Sequence, residues 1–151
     1  MNTCVYEAPT HVPNPFKIFL GGGITGCPDW QVDAIDRLSN LDEVMILNPR
    51  REDFPSDDPE AANEQIEWEY EMLRRADLIS FWFPCETLCP ITLYELGYWT
   101  DRDPIKHVVV GVHEEYSRRQ DVEIQTALAD PDIPVVIGFE HFLSEIEWRI
   151  P

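Results

Sequence analysis

Glu95 is the only charged side chain between Thr87 and Thr100, in the stretch TLCPITLYELGYWT, and Ile91, Leu93, Tyr94, Leu96, Tyr98 and Trp99 surround it in sequence. A carboxylate in apolar surroundings is costly unless it is paired, protonated or used in a reaction. A second acid of interest is Glu69, in QIEWEYEMLRR. On a helical projection Ile66, Tyr70, Leu73 and Asp77 share one face, with Gln65, Glu69, Met72 and Ala76 beside it. Glu67, Glu71, Arg74 and Arg75 make the solvated side, with Glu71 and Arg75 spaced for an ion pair. Glu69 reads either as a boundary residue or as a second carboxylate facing a cleft. Two carboxylates about a crevice suit glycosidic chemistry, in which one meets the anomeric carbon while another group handles the proton.

Other residues bear on a ligand. Gly21, Gly22 and Gly23 follow an apolar run and let the backbone approach a ligand closely, or simply form a tight turn. Their spacing is not the GxGxxG of a dinucleotide site. Asp29 is a plausible helix cap; together with Trp30 and Gln31 it offers hydrogen bonds and an aromatic ring to a ligand, which for a nucleoside would be its ribose and base. Arg50 and Arg51, in NPRRED, read either as a solvated loop paired with Glu52 or Asp53, or as a contact to a 5′-phosphate. Tyr94 and Tyr98 are placed to hydrogen-bond Glu95 or to line its pocket. Cys4, Cys27, Cys85 and Cys89 show no CxxC spacing and read as reduced thiols rather than a zinc site, and the four histidines show no ligand spacing. No metal is expected.

The elements that must position these residues alternate. Apolar runs at KIFLGGG, VMILNP, DLISFWFP, HVVVGV and PVVIGF are nearly continuous, as in parallel strands buried on both faces. Amphipathic segments at Asp29–Leu41, Glu60–Ala76, Ile91 to about Asp101, near 118–130 and Glu140–Trp148 separate or follow them. This predicts an α/β fold: a single doubly wound five-stranded parallel sheet, flavodoxin-like, in the order 2-1-3-4-5. The ligand crevice falls at the carboxyl ends of strands 1 and 3. Residues 17–151 form the domain and 1–16 an N-terminal arm. Glu95 is expected about one turn into its helix, where the dipole favours an anion.

With 151 residues, 44% of them hydrophobic and 26% charged, the chain is long enough for one buried core. A formal net charge of −18 opposes binding to a nucleic-acid polymer or an anionic membrane. No window approaches the roughly 18 apolar residues of a membrane span, and the N-terminus does not read as a secretion signal, so the expected compartment is the cytoplasm.

KIFLGGGI, NPRR, EWEYEMLRRADLISFWFP and LYELGYW, in that order, resemble the nucleoside 2-deoxyribosyltransferase-like family over most of Lys17–Asp101. The resemblance implies that Glu95, in the segment ELG, is a nucleophile that forms a glycosyl ester at the sugar C1′. A nucleobase or water then resolves the ester. It also implies that Glu69 assists at the base, that no metal or redox cofactor is needed, and that copies associate as a homodimer or larger. Two positions depart from the transferases: Phe19 stands where they carry a tyrosine that helps hold the nucleophile, and Cys89 where they carry a base-binding acid. The expected activity is cleavage or transfer of the N-glycosidic bond of a (deoxy)nucleoside or its monophosphate. The alternative is a non-catalytic nucleoside- or nucleotide-binding module, which the two departures favour. A flavodoxin-like electron carrier fits less well, since no Ser/Thr-rich phosphate-binding run follows the first strand.

Overall fold

Once extended, the apolar runs have two greasy faces to bury and one way to satisfy their backbone: a sheet with helices on both sides. The computed structural model describes residues 5–7 (backbone only), 14–52, 54–55, 57–103 and 105–151. The strands are β1 (Val5–Glu7), β2 (Phe16–Gly22), β3 (Val44–Leu47), β4 (Leu78–Phe83), β5 (His107–Val112) and β6 (Val135–Ile137). The helices are α1 (Trp30–Leu38), α2 (Pro59–Arg75), α3 (Pro90–Trp99), α4 (Arg119–Ala129) and α5 (Phe139–Arg149). The sheet order is β1-β3-β2-β4-β5-β6. Strands β3-β2-β4-β5-β6 are all parallel, which is the expected 2-1-3-4-5 arrangement. In addition, Val5–Glu7 adds a short antiparallel edge strand along β3, so part of the arm belongs to the sheet. Residues 1–4 and 8–13 of the arm, including Cys4 and His11, lie outside the described residues, and Phe16 already opens β2.

β4 is central and buried along its whole length, and it separates two apolar layers. One layer, with Phe19, Phe81, Phe83, Leu96 and Trp99, lies under α2, α3 and α4; the other, with Ile18, Leu20, Trp30, Trp82 and Phe142, lies under α1 and α5. The face of α5 made by Phe142, Leu143 and Ile146 thus covers the chain's own sheet. Asp29 caps α1 by accepting the Val32 N–H at 3.3 Å, as expected. Asp58 caps α2, with Pro59 at the first helical position, where its missing N–H costs nothing.

The core sets the phase of α1, and α2 is rotated from its expected phase. On α1 the buried residues are Trp30, Gln31, Ala34 and Leu38, while Val32 is exposed. On α2, Ile66 is 65% exposed and Tyr70 52%; Ala61 and Leu73 are buried, with Trp68 and Met72 packed against the core. The inner face of α2 is therefore the one bearing Gln65, Glu69, Met72 and Ala76. The Glu71–Arg75 pair forms on the outside at 2.8 Å, and Arg74 joins it. Among the described residues no helix is long and apolar enough to cross a membrane.

Candidate active site

β3 and β4 lie on opposite sides of β2, so the connections leaving the carboxyl ends of these strands diverge and leave a crevice. A cavity of about 400 Å³ occupies it. Its floor is Phe19 and the turn Gly21–Thr25. Pro49, Arg51 and Phe54 line one side, Gln65 and Glu69 of α2 the back, and Thr87, Cys89, Pro90, Ile91, Thr92 and Glu95 the other side.

The glycines act mainly through packing. A Cβ at Gly22 would stand 2.4 Å from the Trp82 carbonyl and 2.6 Å from the Trp30 ring. One at Gly23 would meet the Cys27 and Cys89 sulfurs, each at 2.8 Å. The turn is drawn tightly onto β4, and its outer surface becomes the cavity floor. Arg50 holds the far end of this turn. Its guanidinium donates to the carbonyls of Ile24 (3.1 Å), Cys27 (2.8 Å) and Pro28 (2.7 Å) and to the Gln31 side chain (3.0 Å), with Asp29 3.6 Å away. Pro84 ends β4, and the following loop is tied down by Tyr116, whose hydroxyl donates to the Leu88 carbonyl at 2.7 Å. Cys89 then turns the chain through a left-handed conformation (φ 50°) into α3.

Glu95 and Glu69 thus face one space from two helices. Burial pushes the Glu95 carboxyl up to about 8, the charge of Glu69 adds to the effect, and no hydrogen bond opposes them among the described residues. Phe19 borders the same space without a hydroxyl to offer. The expected help from the helix dipole is outweighed: Glu95 lies beyond the first turn of α3, where the dipole has faded. Glu69 is also raised, by burial first, and a hydrogen bond from Gln65 works the other way. That Gln65 amide donates at 2.8 Å to Glu69 and at 2.8 Å to the Pro49 carbonyl, which fixes where the carboxyl points. Burial therefore favours the protonated form at both carboxyls.

A family model described as "Nucleoside 2-deoxyribosyltransferase like" matches residues 15–116, the span that contains the whole cavity wall. The chain belongs to this family. No curated protein matches the chain. As a nucleoside 2-deoxyribosyltransferase-like protein it brings together Glu95, Glu69, Phe19, Gly21, Gly22, Gly23 and Cys89, all expected at a site.

Asp29, Trp30, Gln31, Arg50, Tyr94 and Tyr98 do not line the cavity. Tyr94 is 74% exposed, because it precedes Glu95 by one residue and therefore points about 100° away around the helix. Tyr98 instead meets Tyr70 edge-on, with the Arg102 guanidinium 3.8 Å above its ring. Trp30 is buried beneath the glycine turn, donates Nε1–H to the Gly23 carbonyl at 3.0 Å and packs on Phe139 and Phe142, so it has no free face for a base. Asp29 is used as cap and ion-pair partner, and Arg50 is used in the turn.

The residues that sequence reasoning missed are chiefly Gln65, Thr87 and Thr92. NPRR marked the arginines, but not which of them turns inward.

Away from the cavity, the donor atoms of Cys85, His113 and Glu115 lie within 4.8 Å of one another. The histidine Nδ1 already accepts the Glu115 N–H at 3.1 Å, which leaves the set poorly arranged for a metal. A second groove of about 460 Å³ between α3 and α4 contains Arg118 and Asp121, and neither acid of the pair reaches it.

Proposed function

We propose that the protein cleaves or transfers the N-glycosidic bond of a (deoxy)nucleoside or its monophosphate, with Glu95 as nucleophile. The observation that carries this reading is the pair of half-buried carboxyls, Glu95 and Glu69, facing a single cavity large enough for a nucleoside. Two carboxyls that burial raises let one keep its proton while the other ionises, which is what the reaction needs: a carboxylate to attack and a carboxylic acid to protonate the departing base. As positive charge develops at C1′, the ionised form is favoured on the residue nearest it, Glu95, and the proton is favoured on Glu69. A Glu95 oxygen forms a bond to C1′ while the C1′–N bond breaks, and its electron pair leaves with the base, which takes the proton from Glu69. Water or a second base then attacks C1′ from the vacated side, gives its proton to the Glu69 carboxylate and frees Glu95 as its carboxylate, with net retention. The departing base thus lies across C1′ from Glu95, toward Glu69 and Gln65, while Thr87, Cys89 and Thr92 border the Glu95 side of the cavity.

The test is incubation with mixed nucleosides and nucleoside monophosphates. Free base should appear, and intact-mass analysis should find a pentosyl adduct on Glu95. Glu95→Gln should abolish both without loss of fold. Turnover equal to wild type in that variant would remove the nucleophile. A binding module is the second reading, favoured by the absence of a hydroxyl at Phe19 beside the Glu95 carboxyl. Saturable binding with no base released would select it.

A further inference from the structure

Arg51 is the cation of the cavity wall, and its position raises a question that the carboxyl pair does not answer. Its Nε is buried and finds no hydrogen-bond partner among the described residues. The neighbouring Arg50 is fully engaged by carbonyls of the turn, whereas the Arg51 guanidinium lies 5.5 Å from the centre of the Phe54 ring and lines the cavity with it. A buried charged donor left unpaired is costly, so a guanidinium that lines the cavity without a partner for its Nε among the described residues is suited to an occupant bringing an acceptor. The planar guanidinium fork matches the paired oxygens of a phosphate better than a single hydroxyl.

Position within the cavity adds the orientation. Arg51 follows β3, and Glu95 lies in α3 after β4, with β2 between the two strands. Glu95 and Arg51 thus line different walls of one cavity. In a chain of net charge −18 an anion needs such a local cation to enter at all.

We propose that Arg51 forms an anion-binding end of the cavity and that the molecule bound there is a nucleoside 5′-monophosphate rather than a nucleoside. This narrows the substrate class and rests on the glycosidic reading for its orientation, with C1′ at Glu95 and the phosphate at Arg51.

The experiment measures equilibrium binding of the common purine and pyrimidine nucleosides and of their 5′-monophosphates. It uses the full chain carrying Glu95→Gln, so that turnover does not consume the ligand. Monophosphates should bind about 100-fold more tightly than their parent nucleosides. Adding Arg51→Ala should collapse that ratio to a few-fold, and Arg51→Lys should leave it in between. Equal binding of nucleoside and monophosphate with Arg51 intact overturns the proposal. So does an Arg51→Ala protein that weakens both ligands alike, which would make the arginine a structural residue. Base release by wild type is measured beside it. Arg51-dependent monophosphate binding with no release supports the anion site and defeats the glycosidic reading, whereas release from nucleosides with no preference for the phosphate does the reverse.

Discussion

Replacing Glu95 by Gln should make the protein more stable at alkaline pH while destroying the site. The folded Glu95 carboxyl is raised from 4.5 to about 8, so folding takes up a proton. Its contribution to stability is therefore fully present below about pH 4.5 and is lost as pH rises through about 8. At about 1.36 kcal/mol per unit, the shift sets a ceiling of about 5 kcal/mol. The cavity opens to water, and effective dielectric constants near 20 describe such positions, which brings the expected cost of the ionised group to about 2 kcal/mol. For a chain of this length that is about 4–8 °C in Tm. Gln keeps the shape and cannot ionise; any penalty for burying its amide is a constant offset. The assay is thermal unfolding of both proteins from pH 4 to 9.5, read as the difference in Tm. That difference should shift in favour of the variant between about pH 4.5 and 8 and then level off. A difference that does not change with pH would show that Glu95 is not held in a desolvated site, and the reasoning about the carboxyl pair would fall with it.

Other perturbations read different parts of the same arrangement. Glu69→Gln should slow base departure by about 100-fold and, by removing a neighbouring negative charge, lower the pH at which the Glu95 adduct begins to form; an unchanged pH profile would separate the two acids. Phe19→Tyr adds a hydroxyl at the cavity floor and should move the rising limb of the pH–rate profile down by about one unit; no movement would mean that the ring does not reach Glu95. Arg50→Ala removes four hydrogen bonds that tie the turn, to Ile24, Cys27, Pro28 and Gln31, and should cost about 2–4 kcal/mol in denaturant unfolding. A loss of ligand affinity in Arg50→Ala with unchanged stability would instead return Arg50 to the binding surface.

The amino-acid sequence by itself determined the alternation of apolar runs and amphipathic segments, and with it the parallel sheet, its order and the edge at which ligands collect. These follow from burial patterns several residues long, and the right-handed crossover leaves few topologies to choose from. The isolation of Glu95 in an apolar stretch was equally legible, because a charge without neighbours of its kind stands out on paper. What only the tertiary structure decided is direction. Successive residues on a helix differ by about 100°, so Glu95 and Tyr94 cannot share a cavity, and the phase of α2 was set by Trp68, Met72 and Leu73 meeting the core rather than by Ile66 and Tyr70. Arg50 and Arg51 are chemically the same and adjacent; packing turned one into a staple for the glycine turn and left the other facing the space. The ionisation of Glu95 belongs to the same class, for it depends on how much water the fold removes and on a second acid 26 positions earlier in the chain. No local window of sequence contains either quantity.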